Sequence, residues 1–175
     1  MGQMEHASIA AFARFSLQLL SLGAPPDLVE ASTRALADET AHTKLCFELA
    51  SAYAGRALGP GKLDVENSLA VTSLLDVVEL VIAEGCFGET VAALEAREAA
   101  DAAADPVVRA AYTQIARDEE RHAELAFRFI RWALEQDRAA VSERVTAALQ
   151  TAEGRADVLR VVVEPCFAAL LADAA

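Results

Sequence analysis

Apolar side chains recur along this chain in steps of three and four, the spacing of one face of an α-helix. Ile9, Phe12, Phe15, Leu19 and Leu22 form the first such face and predict a helix from about Glu5 to Leu22. Gly23-Ala24-Pro25-Pro26 ends it, and Asp27 is placed to cap a second helix reaching about Tyr53. The inward face of that helix reads Leu36, Glu39, His42, Cys46, Leu49 and Tyr53. Residues Gly55 to Asn67, with Gly59-Pro60-Gly61 at their centre, are the longest non-helical stretch. A connection of that length can cross the end of a helix bundle, whereas a short turn joins only neighbours.

A third helix is predicted from about Ser68 to Ala100, with Leu74, Val77, Val81, Glu84, Val91 and Leu94 in phase. Gly85 and Gly88 interrupt it. Each costs about 1 kcal/mol relative to Ala in a helix, so they mark a close helix approach, a small cavity or a π-like irregularity. Asp105-Pro106 starts a fourth helix that continues to about Glu135 through Val108, Tyr112, Ile115, Glu119, His122, Ala126 and Phe129. Beyond Asp137 the period weakens. Ala139 to Thr151 reads as a fifth helix, Glu153-Gly154 as a break, and Asp157 to Val163 as a short helix kinked or ended by Pro165. Residues 1–136 are therefore expected to form a four-helix bundle and 137–175 a helical extension packed on it.

Composition agrees with helices. The chain is 54% hydrophobic, rich in Ala and Leu and only 6% aromatic, the balance of a helical bundle rather than a sheet. Its 27 acidic and 15 basic residues leave a formal charge of −12, which disfavours nucleic acid and anionic membrane as partners. Part of that charge is expected to be cancelled by bound cations. Three scattered cysteines, Cys46, Cys86 and Cys166, make no Cys-x-x-Cys motif. They argue against a disulfide scaffold and for a reducing compartment, the cytoplasm. The apolar stretch from Ile9 to Leu22 carries Arg14 and Gln18 and lacks a basic lead-in, so it reads as an amphipathic helix rather than a signal or membrane segment.

The chemistry lies in two pentads, Asp38-Glu39-Thr40-Ala41-His42 and Asp118-Glu119-Glu120-Arg121-His122. In each, Glu and His stand three apart, on one side of a helix and one turn from each other. Each pentad thus offers a carboxylate and an imidazole to one point in space. Two lone acids complete the pattern. Glu5 precedes Glu39 by 34 residues and Glu84 precedes Glu119 by 35, as two equivalent helical hairpins would require. Four carboxylates in a hydrophobic interior repel one another, whereas two divalent ions supply the four positive charges that match them. Glu39 and Glu119 are assigned as bridging carboxylates, His42 and His122 as one nitrogen ligand per metal, and Glu5 and Glu84 as terminal ligands. An oxygen-rich set with one imidazole per ion suits iron first and manganese second. Glu89 competes with Glu84 but lies about half a turn round an α-helix, and Glu120 and Glu124 read as a solvated face. His6 reads as a surface or helix-end residue. Gly85 and Gly88 are candidates to line a cavity; Cys46, Cys86 and Tyr112 read first as core packing, with a place at such a cavity the alternative.

The order Glu, Glu-x-x-His, Glu, Glu-x-x-His over residues 5 to 135 resembles the ferritin-like superfamily of di-iron carboxylate proteins, and Glu84-Gly85-Cys86-Phe87-Gly88-Glu89 resembles a motif in bacterial members. That resemblance implies an all-α, up-down four-helix bundle with one long crossover at Gly55 to Asn67. It also implies that Asp118 orients His42 and Asp38 orients His122, with Arg121 beside them. The activity implied is di-iron oxidoreductase chemistry with O2 or peroxide. An oxidase or oxygenase of a small molecule stands first, and ferroxidase, peroxide reductase or a metal-stabilised structural bundle are the alternatives. No rubredoxin-like cysteine quartet is present, so electrons are expected from an external donor or the substrate. A homo-dimer or higher oligomer remains open.

Overall fold

The computed structural model describes residues 1–151 and 154–172. Glu153, half of the break expected in sequence, lies outside the described residues. Helix α1 (Gly2–Leu22) and helix α2 (Pro26–Ala54) form the first hairpin. Gly23 closes α1 in the left-handed region at φ 68°, where its N–H reaches the carbonyls of Leu19 and Leu20. Pro25 rather than Asp27 occupies the cap of α2, and Pro26 takes the first turn, where a missing N–H costs nothing. Asp27, one residue inside the helix, pairs instead with Arg128 at 2.6 Å.

A long crossover then leads to the second hairpin. The buried Gln18 side chain pins it by donating to the Val71 carbonyl at 2.8 Å. The next helix begins later than its sequence period suggests, with Ser73 capping α3 (Leu74–Leu80) by accepting from the Asp76 N–H. It continues without a break through a π segment (Val81–Glu89) into α4 (Thr90–Ala102). Helix α5 (Pro106–Gln136) returns antiparallel, capped by Asp105, whose carboxylate accepts from Val107 N–H at 2.8 Å.

The π segment has a steric cause and a polar compensation. A Cβ at Gly85 would stand 2.5 Å from the Cβ of Ala126, so only glycine lets this segment lie directly on α5. Where the widened turn shifts the carbonyl ladder, Thr90 Oγ1 donates to Cys86 O at 2.7 Å. Close approach and π geometry, two of the three features anticipated for the glycines, occur together at Gly85. Gly88 is exposed and meets only Ala83 O at ordinary contact distance.

The result is an up-down four-helix bundle with one long crossover, the ferritin-like arrangement. Phe12, Phe15, Leu19, Val77, Ile82, Phe129 and Ile130 form its apolar half, with Phe15 and Phe129 packed edge to face at 5.3 Å. Helices α6 (Arg138–Thr151), α7 (Ala156–Val158) and α8 (Glu164–Ala172), with a second π segment (Leu159–Val163), follow. Their Val141, Val145, Val163 and Phe167 are fully buried and belong to the same core as the bundle. Among the described residues no helix is long and apolar enough to cross a membrane.

Candidate metal centre

Four long helices each turn an acid toward the other half of the bundle, away from the Phe15–Phe129 core. Two overlapping groups result. Glu5, Glu39, His42 and Glu119 form one, and Glu39, Glu89, Glu119 and His122 the other; within each, one ligand-type atom per residue lies within 4.8 Å of the rest. Glu39 and Glu119 belong to both. His42 Nδ1 stands 3.4 Å from Glu5, 3.6 Å from Glu39 and 3.7 Å from Glu119. His122 Nδ1 stands 2.9 Å from Glu119, 3.1 Å from Glu39 and 3.9 Å from Glu89. The two imidazole centres are 6.2 Å apart.

Five of the six residues assigned from sequence as ligands are thus brought together. Glu84 is not among them. Its side chain is 47% exposed and ion-paired to Arg14, and Glu89, at 16% exposure, stands in its place. Helix geometry explains the exchange. A π-helix advances about 82° per residue rather than about 100°. Counted from the buried Val81, Glu89 then arrives within about 10° of the angle an α-helix would give Glu84, and Glu84 turns about 55° further outward. The sequence did contain a signal for this. Gly85 and Gly88 flag the segment, and carrying a π period through them selects the second acid of the Glu84–Glu89 motif.

Behind each imidazole stands an aspartate from the opposite hairpin. His42 Nε2 lies 2.9 Å from Asp118 and His122 Nε2 lies 3.4 Å from Asp38. Arg121 reaches both aspartates, at 3.1 Å to Asp38 and 2.5 Å to Asp118, and Gln114 donates to Asp118 at 2.8 Å. A ring whose Nε2–H donates outward to a carboxylate leaves Nδ1 as a lone-pair donor aimed into the cluster.

Without a cation this cluster holds protons. Burial drives the Glu89 carboxyl well above the usual carboxylate range, and the Glu119, Glu39 and Glu5 carboxylates push it further. Glu5 is raised mainly by burial as well. Burial also opposes ionisation of Glu39, but the imidazoles of His122 and His42 outweigh it and bring Glu39 down to about 2. Burial lowers both histidines, and the carboxylates more than reverse this, to about 11 for His42 and about 9 for His122.

One part of the cluster stays unsatisfied even so. Both oxygens of Glu39 and the Nδ1 of His42 are buried without a hydrogen-bond partner. Unpartnered buried carboxylate oxygens each cost about 1–3 kcal/mol or more. A pair of divalent ions would meet that need, since Glu39 belongs to both groups. The four acids of the two groups also match the four positive charges.

The remaining candidates fall outside the groups. Gly85 lines a cavity beside Glu89 and His122, whereas Cys46 and Tyr112 pack against Ala96, Ile115 and Ala116. Cys86 is fully buried in the main core, and its thiol is raised well above its ordinary value by burial. Tyr53, expected on the inner face of its helix, is 71% exposed and donates to Asp105 at 3.0 Å. Glu120 is exposed and pairs with Arg97, while His6 joins neither group. The chain matches none of the protein-family models, curated proteins or solved structures with which it was compared.

Proposed function

We propose that the two groups hold a pair of metal ions, iron first and manganese second, in a ferritin-like di-iron carboxylate oxidoreductase akin to bacterial members bearing the Glu84–Glu89 motif. The single observation that carries this reading is the Glu39 carboxylate: buried, shared by both groups and, with both imidazoles beside it, still without a well-directed hydrogen bond at either oxygen. In this reading Glu39 and Glu119, common to both groups, would serve both ions, His42 and Glu5 would complete one position, and His122 and Glu89 would complete the other. When bound, such a pair supplies electrons and Lewis acidity to O2 or peroxide.

The chain's own part is to prepare that site. Asp118 and Asp38 hold the two imidazoles in the Nε2–H tautomer with Nδ1 inward, and Arg121 holds both aspartates in place. Phe12, packed edge-on to His122 at 4.9 Å, keeps bulk water from that ring. Oxidation or oxygenation of a small molecule is the favoured outcome. The cavity reaching Glu89 and His122 holds only ≈ 50 Å³, which favours peroxide reduction or ferroxidase turnover as the second reading. Three unpaired thiols fit a reducing compartment, the cytoplasm, with an external electron donor.

Two measurements test this. Crystals loaded with iron or manganese should show two anomalous peaks about 3–4 Å apart at the matching absorption edge. Aerobic assays with a reductant should show sustained consumption of O2 or peroxide without iron accumulating on the chain. A single peak, or none, rules out the dinuclear site. Progressive loading with many iron atoms per chain would indicate storage rather than catalysis.

A further inference from the structure

The cavity beside the cluster is one-sided. Its inner wall includes Glu89 and His122 but not Glu5 or His42. Phe12, Phe15, Leu125 and Ala126 make most of its surface apolar, and the backbone of Gly85 completes that wall where the π segment lies on α5. At ≈ 50 Å³ it accepts a molecule of two or three heavy atoms. Its outer rim is polar, where Arg14 from α1 and Glu84 from the π segment meet in an ion pair, 21% and 47% exposed. Exposure therefore falls from Glu84 through Arg14 and Glu89 to His122, at 2%. Arg14 Nε is buried and lacks an acceptor, so it is free to donate to an oxygen atom that enters.

We infer that this cavity is the antechamber of the centre, that it admits a neutral diatomic or peroxide-sized molecule to the Glu89/His122 position alone, and that Arg14 and Glu84 are its closing pair. This inference rests on the two-metal reading above and adds an asymmetry to it. The position between Glu5 and His42 is closed by side chains, so exogenous ligands meet the site from one side. Glu84, displaced from the cluster by the π turn, acquires a separate role. Its bond to Arg14 bridges α1 and the π segment across the mouth of this apolar cavity. A partly exposed pair is weak enough to open on the timescale of side-chain motion.

Nitric oxide, a neutral diatomic, tests this in anaerobic stopped-flow mixing with the ferrous-loaded full chain. Glu84→Gln should speed its binding at least tenfold by releasing Arg14. Ala11→Leu, which adds bulk at the chamber wall from a half-buried position, should slow it at least tenfold. Metal content should stay at two per chain in both. Xenon-pressurised crystals of metal-free protein should show an atom in the chamber of the wild type and none in Ala11→Leu. Two ions per chain with equal binding rates in all three proteins, or an empty chamber under xenon, would overturn the antechamber alone. Fewer than two ions in the wild type would overturn the dinuclear reading and this inference with it.

Discussion

Replacing Glu89 by Gln separates the two acids that compete for the third-helix position. In the metal-free protein burial and the neighbouring carboxylates push the Glu89 carboxyl well above the usual carboxylate range, so an uncharged amide of the same shape should change stability by less than about 1 kcal/mol. The metal-bound protein should respond differently. At free metal 100-fold above the dissociation constant, each independent site adds about 2.7 kcal/mol, or about 5 kcal/mol for two. At about 2–4 °C per kcal/mol for a chain of this size, two ions should raise the melting temperature by about 10–20 °C. Glu89→Gln removes a donor from only one group, so it should lose about half of that rise and one of two bound ions. Glu84→Gln should keep the whole rise, because Glu84 belongs to neither group. Thermal melts with and without manganese, paired with metal analysis, measure both quantities. A full rise in Glu89→Gln together with a halved rise in Glu84→Gln would refute the π-shifted assignment.

Three other outcomes follow from the same geometry. Asp118→Asn keeps the size of the group behind His42 but loses its charge and its fixed acceptor, and should weaken metal affinity about 10- to 100-fold by competition titration, while Asp76→Asn at the exposed α3 terminus should not. In the metal-free chain His42 and His122 are raised to about 11 and about 9, above their ordinary 6.5, so the stability they contribute is present below pH 6.5 and is lost as pH rises through 9 and then 11. Metal must displace those protons, so the metal-induced rise in melting temperature should grow from pH 6 to pH 9, and a rise that is flat with pH would contradict the assignment. Phe129→Ala empties a fully buried ring that packs edge to face with Phe15 and tilted against Trp132, and chemical denaturation should show a loss of about 3–5 kcal/mol.

The four bundle helices and both pentads were legible in the chain itself, because a strict period of 3.6 survives wherever helices are regular and one face is buried. Glu39, His42, Glu119 and His122 needed no more than that: residues three apart on one helix share a side in any tertiary setting. The Asp105-Pro106 cap is equally local, requiring only the N–H of Val107. Glu89 was different, since its inward aim depends on nine residues of π-helix, and that geometry exists because Gly85 lies against Ala126 on a helix some forty residues away. No local count of turns contains that contact. The exposed pairing of Tyr53 with Asp105 and the ion pair of Arg14 with Glu84 likewise join distant segments. Sequence by itself determined which residues can act in pairs along one helix. Tertiary packing decided which of two acids faces the core, because a small change in winding rotates every later side chain and only the neighbouring helix sets the winding.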